Sequence, residues 1–399
     1  MSSRPAFAAL SAALLVLVVG FPARTGTQAQ LAALPLAPIA PADNPTTPEK
    51  VALGRLLFWD PILSGQKDVA CATCHLPDAA YAESRDLSIG VNGVGAGASR
   101  HFNEGNTIPL VKRNSQSVLN SAFNGIDTAG RYDAALSPMF WDVRVRGLEA
   151  QALEPIKALE EMRGDTYPAE QAVDMVVARL AAIPDYRARF GRAFGAAHTV
   201  TPVNLGRALA AFERTLVATN SPFDRYMRGD TTAMTPLQVQ GMERFARIGC
   251  ANCHSGPMFT DFKPHVLGVP DNPKLTESDA GASGNYAFRT ASLRNLTLTA
   301  PYMHSGVFPS LDAVVRFYDD VRRGGGRGGR GGGGRGRGGN LGRNPNVAQG
   351  DLDPLLRRLN VNGGGRDLVA FLGALTDTSF DRTIPDAVPS GLPVGGRLK

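Results

Sequence analysis

Two short stretches of this 399-residue chain carry the side chains with the greatest chemical reach: Cys71-Ala-Thr-Cys74-His75 and Cys250-Ala-Asn-Cys253-His254. On a helical turn, positions i, i+3 and i+4 share one face, so two thiols and an imidazole can meet the same planar macrocycle. The chemistry implied is covalent haem attachment, with the thiols adding to vinyl groups and the histidine binding iron. A C-x-x-C pair alone is shared with redox dithiols and zinc sites; the adjoining histidine, present twice, separates haem from both. The competing arrangement is two zinc half-sites pooling four cysteines. The two motifs use every cysteine in the chain, so no structural disulfide remains to be made. The reading is a c-type cytochrome with two covalently bound haems c.

The elements that position these motifs follow from the rest of the chain, whose length suits about two to three domains. Residues 1–29 read as an export signal: Arg4, an apolar run from Ala6 to Gly20, and a small-residue cleavage site at Thr27-Gln-Ala29. An uncleaved anchor is the alternative, although the run is short for a membrane span. Residues 30–46, rich in Pro and Ala, read as a linker. A helix should begin at Thr47-Pro48 and stop at Asp60-Pro61, just ahead of the first motif. Further helices are expected from Leu148, at Pro168 to Ile183, Pro202 to Ala218, Pro236 to Ile248, Ser310 to Asp320 and Asp367 to Leu375. A glycine-rich irregular stretch runs from Leu87 to Asn114, and a second from Gly256 to Gly284. Strand signals are sparse. The expected fold is mainly α, with two cytochrome c-like haem domains and long irregular loops. The domains are placed at 47–202 and 203–385, followed by a tail at 386–399.

The formal charge of +6 comes from one tract. Between Arg322 and Arg343 lie seven arginines and no acid; setting these aside with Arg4 and Arg24 leaves a body of net charge −3. The tract resembles nucleic-acid-binding Arg-Gly segments in composition, but in an exported chain it reads as a disordered insertion at 322–343, and no nucleic-acid partner is expected. A polybasic loop could dock an acidic partner or an anionic membrane surface.

Ten segments, in order, resemble the bacterial dihaem cytochrome c peroxidases and the MauG enzymes. They are Leu53-Gly-Arg-Leu-Leu-Phe58 with Asp60-Pro61, Cys71 to His75, Arg113-Asn114, Phe140-Trp-Asp142, and Leu148 to Gln151 with Pro155. Glu161-Met162, Ser221-Pro-Phe-Asp224, Cys250 to His254, Leu293-Arg-Asn295 and Ala300-Pro-Tyr-Met-His304 complete the set. The resemblance spans about residues 45–380. It implies a peroxidatic first haem on His75 and an electron-transfer second haem on His254. It also implies that Gln151 and Glu161 face the open side of the first haem and that Trp141 lies between the haems. Calcium is implied at Asn114, Thr299 and the carbonyl of Pro301, oxygen ligands that suit that ion.

Two positions depart from the peroxidase pattern. Many cytochrome c peroxidases place an iron-capping histidine sixteen residues after the first haem histidine; here that residue is Val91, so the first haem should be open to peroxide without prior reduction. His101, in the same loop, is the substitute to consider. Fourteen residues after His304, the peroxidases place a methionine ligand; this chain has Tyr318, as the MauG enzymes do. Spacing alone would choose Met303, and the resemblance favours Tyr318. A tyrosinate ligand stabilises ferric and higher states relative to methionine.

Glu161 is the candidate general acid/base for moving a proton between the oxygens of bound peroxide, with Gln151 donating a hydrogen bond or holding water. The plain alternatives are a solvated acidic run for Glu160-Glu161, a core aromatic for Tyr318, and core packing for Trp141. His198 and His265 match no motif and read as surface or core histidines. The expected function is an exported, periplasmic peroxidase reducing hydrogen peroxide with electrons from a small donor protein, a cytochrome c or a cupredoxin. The alternatives are a MauG-like enzyme oxidising side chains of a protein substrate through high-valent haem, and a dihaem electron carrier without turnover.

Overall fold

The computed structural model describes residues 31–195, 200–322, 342–361 and 365–396. The expected signal, His198 and residues 323–341 of the Arg/Gly tract lie outside the described residues. Helices dominate. The strands among the described residues form three two-stranded antiparallel ladders: Gly93–Val94 with His101–Phe102, Pro138–Met139 with Val145–Arg146, and Pro264–Val266 with Ala287–Arg289. The mainly α expectation therefore holds.

A Ser or Thr followed by Pro starts four of the helices. Thr47 caps Pro48–Trp59, Thr201 caps Pro202–Glu213, Ser221 caps Pro222–Met227 and Thr235 caps Pro236–Arg247; each side chain accepts a first-turn N–H. The cap satisfies an orphan donor and the proline presets the first helical φ. The helix expected to reach Ala218 ends at Glu213. There the chain turns to pair with Asn120, whose N–H donates to the Leu216 carbonyl and whose side chain accepts the Ala218 N–H at 2.7 Å. The expected helix from Pro168 is a 3-10 turn followed by Ala172–Ala182, and Pro184 restarts an unanticipated helix to Phe194.

Each haem motif sits beside the same crossing of two helices. Pro48–Trp59 crosses Pro202–Glu213 at Gly54, where a Cβ would lie 2.0 Å from the Ala208 carbonyl oxygen. Pro236–Arg247 crosses Arg366–Ala374 at Gly241, where a Cβ would lie 2.0 Å from the Asp367 carbonyl oxygen. Four residues on, Phe58 meets Phe212 edge to face at 5.3 Å, and Phe245 meets Phe371 at 5.3 Å. Each of these phenylalanines also lies 6.4 Å from a haem-motif histidine, Phe58 from His75 and Phe245 from His254. The two halves are thus copies of one packing unit, although their sequences share little beyond the motif.

Leu205, Leu209, Phe212 and Leu216 belong to the first core with Leu53, Leu57 and Phe58, whereas Phe223 belongs to the second. Pro202–Glu213 thus packs with the first core, as the partner that the first helix needs. The linker is anchored too: Leu31 packs in the second core, and the Leu34 N–H donates to Asp224 at 2.9 Å. The expected tail returns to the first core, where Val388 is buried and the Gly395 N–H donates to the Trp59 carbonyl at 2.7 Å.

Candidate haem sites and the cavity between them

Cys71–Cys74 is a single helical turn and Cys250–Asn252 a 3-10 turn, so each motif presents its thiols and histidine from a tight bend. His75 Nδ1 lies 2.9 Å from the Tyr81 carbonyl, and His254 Nδ1 lies 2.9 Å from the Phe259 carbonyl. A backbone acceptor at Nδ1 fixes the tautomer and leaves Nε2 to bind a metal. Burial holds both imidazoles below their ordinary pKa, which keeps them neutral, as a ligand must be. Both motifs open on one continuous cavity of about 690 Å³. Among the described residues the four sulfurs do not converge on a common point, and burial pushes Cys71 and Cys250 up to about 12. Zinc would need them as converging thiolates. The residues fit a covalently held haem at each motif better than a pooled zinc site, since the four sulfurs form no common group among the described residues.

On the first motif's side, Gln151 ends the short helix Leu148–Gln151, and Glu161 lies in the π turn Leu159–Arg163. Such turns often mark functional positions, because they displace one side chain from the helical repeat. Both residues line the cavity. Burial pushes the Glu161 carboxyl up to about 7; Arg144 opposes the shift, while Glu160 and Glu154 add to it. The turn is held from below. The Val91 N–H donates to the Glu161 carbonyl at 3.2 Å, and the Gly65 N–H donates to the Met162 carbonyl at 2.7 Å. Val91 is fully buried in the first core and has no ligating atom. His101 is exposed on the ladder with Gly93–Val94, its Nδ1 3.1 Å from the Ser99 carbonyl, and it does not line the cavity. It is not placed to substitute for the missing histidine.

The same cavity is also lined by Trp141, Asn114, Thr299, Pro301, His304 and Arg289. Trp141 Nε1 donates to the Asn114 carbonyl at 3.0 Å, and its ring meets that of His304 edge-on at 6.3 Å. The Asn114 side chain donates to the Arg85 carbonyl at 2.8 Å. His304 is buried and stacked on Phe288, with Nε2 lacking a partner, and burial drops its pKa to about 3.

On the second motif's side, Tyr318 stands on the helix Leu311–Arg322, and Met303 lies in the turn after the cis peptide Ala300–Pro301; both line the cavity. Burial raises the Tyr318 phenol well above its ordinary value, with Cys253 and Cys250 close enough to add to the effect. His265 had matched no motif, yet it is buried beside Cys253. Its Nδ1 lies 2.6 Å from Asp353 and its Nε2 2.9 Å from Asp261. Asp261 foremost, then the Cys253 sulfur and Asp353, push it up to about 11 against the opposing effect of burial, and the pair of carboxylates ties the 342–361 segment to the second attachment turn. Sequence reasoning also missed Glu213, a buried carboxyl on the cavity wall with one oxygen unpartnered, pushed up to about 8 by burial. Neither residue belongs to a recognised motif, and neither burial beside the cavity nor the reach of Asp353 to His265 can be read from local sequence.

A mainly helical chain with two such attachment turns on one cavity is a dihaem c-type cytochrome. A family model described as di-haem cytochrome c peroxidase matches residues 48–232. Over 283 residues the chain is 37% identical to the methylamine utilization protein MauG of Methylorubrum extorquens, covering 70% of each chain. It is 34% identical to the cytochrome c551 peroxidase of Pseudomonas aeruginosa, covering 68% of this chain and 72% of that one. The crystal structure of a MauG-like protein associated with microbial copper homeostasis superposes with a TM-score of 0.61 at 27% identity, covering 86% of this chain and 94% of the other. The chain belongs to the di-haem cytochrome c peroxidase and MauG family, and is a haem oxidoreductase of the cytochrome c peroxidase type.

Proposed function

We propose that the protein reduces hydrogen peroxide to water at the first haem, with two electrons reaching it through the second haem from a small donor protein, a cytochrome c or a cupredoxin. The observation that carries this reading is Glu161: a carboxyl that lines the cavity with Gln151, raised to about 7 by burial, in a turn whose backbone is held by Val91, a residue that cannot ligate iron. When bound, the haem at His75 supplies the redox-active iron. Glu161 takes the proton from the inner peroxide oxygen and delivers it to the outer one, a transfer for which a pKa near the working pH is suited. Gln151 keeps its hydrogen-bonding capacity at every pH and orients the substrate. Trp141, fixed by its bond to the Asn114 carbonyl, lines the cavity on which both attachment turns open and is the proposed relay between the haems. Asn114, Thr299 and Pro301 share the cavity wall and are the proposed calcium ligands. The described helices include none long and apolar enough to cross a membrane. With the export signal of residues 1–29, the proposed location is the periplasm.

A second reading has its own support. Tyr318 lines the cavity close enough to feel both cysteines of the second motif, and a tyrosinate ligand would make that haem a poor acceptor from a donor cytochrome. The reductant would then be a side chain of a protein substrate, as in a MauG-like enzyme. A carrier without turnover has no use for a carboxyl poised near neutrality on an open face. Steady-state peroxide consumption with a reduced small cytochrome as donor tests the proposal. Turnover abolished by Glu161→Gln supports it, and consumption without oxidation of the cytochrome favours the second reading.

A further inference from the structure

Arg289 is a buried cation without a counter-ion. It closes the ladder Ala287–Arg289, is 6% exposed, and lines the cavity shared by the two haem motifs. Its Nε donates to the Phe140 carbonyl at 2.8 Å and its Nη2 to Gln116 Oε1 at 3.1 Å. Among the described residues no carboxylate pairs with it; burial alone acts on the guanidinium and lowers it to about 10. The other buried arginines on this cavity are matched: Arg294 to Asp224 at 2.8 and 3.0 Å, and Arg113 to Asp279 at 2.5 Å and Asp142 at 2.8 Å. A buried guanidinium with two of its five N–H donors on neutral oxygens is strongly unfavourable unless an anion completes the site.

The location indicates what that anion is. The Arg289 backbone N–H donates to the Trp141 carbonyl at 2.7 Å, which holds the strand against Trp141. Gln116 reaches Arg289 from the first motif's side, where its backbone lies against His75. Two residues beyond Arg289, the backbone of Ala291 lies against His254. Arg289 therefore stands between the two proximal histidines, facing the space that haem would fill. Haem brings two carboxylates on flexible arms, and a guanidinium fork matches a carboxylate in shape and charge.

We propose that Arg289, assisted by Gln116, seats a haem propionate at the midpoint of the cavity and sets the potential of the haem that owns it. The inference rests on the two-haem reading and is independent of whether peroxide is the substrate. With Oε1 engaged by Arg289, the Gln116 amide N–H groups are free to donate to the same carboxylate. The buried positive charge favours the reduced state of the haem beside it.

The test uses the loaded full-length protein and Arg289→Gln, with two bound haems verified for each. In a spectroelectrochemical titration, the equilibrium constant for reducing one haem should fall at least tenfold, which is 59 mV for a one-electron couple. Arg289→Lys, which keeps the charge, should recover most of that change. The haem whose spectrum shifts identifies the owner of the propionate. Unchanged potentials in a fully loaded Arg289→Gln protein would overturn the proposal. If that variant does not load, the crystal structure of the loaded native protein decides: a propionate oxygen within hydrogen-bonding distance of Arg289 supports the assignment, and propionates directed elsewhere refute it. Peroxide turnover enters neither readout, so failure here and failure of the peroxidase reading are distinguishable.

Discussion

A Cβ placed on Gly90 would lie 2.2 Å from the carbonyl oxygen of Glu161 and 2.1 Å from that of Glu160. The glycine loop after the first motif thus lies directly under the turn that carries the candidate acid/base, and only a hydrogen fits between them. Gly90→Ala should push this turn out of place while leaving every cavity-lining side chain present. The expected cost is about 1–3 kcal/mol of stability, as for other overpacked sites, with a large fall in peroxide turnover and full haem content. Turnover equal to the native protein's would mean that the position of the turn does not matter.

Glu161→Gln removes the proton acceptor but preserves shape. Rates should fall about a hundredfold or more, the scale of general acid–base catalysis. Because the accepting form is the carboxylate and burial sets its pKa at about 7, native rates should rise with pH through that value. The variant should be flat across the same range. A variant that retains the rising limb would assign it to another group.

Tyr318 and Met303 both reach the second motif's part of the cavity, and their variants separate them. Tyr318→Phe should change the spectrum of the second haem and raise its potential, since an anionic phenolate favours the ferric state. Met303→Leu should leave both unchanged. The reverse pattern, with a methionine–iron charge-transfer band in the native protein, would make Met303 the ligand.

Glu213 gives a stability prediction with a definite sign. Its carboxyl goes from an ordinary 4.5 to about 8 in the folded protein because it is buried. Between those values the folded state holds a proton that the unfolded chain has released, so stability falls as pH rises, by about 1.4 kcal/mol per pH unit per group. Glu213→Gln should remove that component and gain on the native protein between pH 5 and 8. Denaturant unfolding at several pH values measures this, and parallel curves for the two proteins would show that Glu213 is not buried as described.

Much of this was legible because short-range rules governed it. The Thr-Pro and Ser-Pro pairs gave helix starts, and the two C-x-x-C-H turns gave the attachment sites with their geometry. Residues fixed by long-range contact stayed hidden. Pro202–Glu213 was assigned to the second half because nothing local reveals that Gly54 admits the Ala208 carbonyl. His265 looked ordinary because one of its two carboxylate partners, Asp353, is 88 residues away. The anchoring of residues 31–46 and 380–396 was invisible for the same reason: apolar residues in irregular segments carry no period. The repeated Gly-x-x-x-Phe of Gly54–Phe58 and Gly241–Phe245 was present in the sequence all along, but two matched residues mean little until both pairs are seen at the same crossing.

The account stands or falls on a coordination position left open at the first haem, on the side where Glu161 and Gln151 lie. Electron paramagnetic resonance of the resting, fully oxidised, doubly loaded protein measures it directly. A high-spin ferric signal that disappears on adding stoichiometric peroxide, alongside a low-spin signal from the second haem, is the predicted result. Two low-spin signals, both indifferent to peroxide, would contradict it.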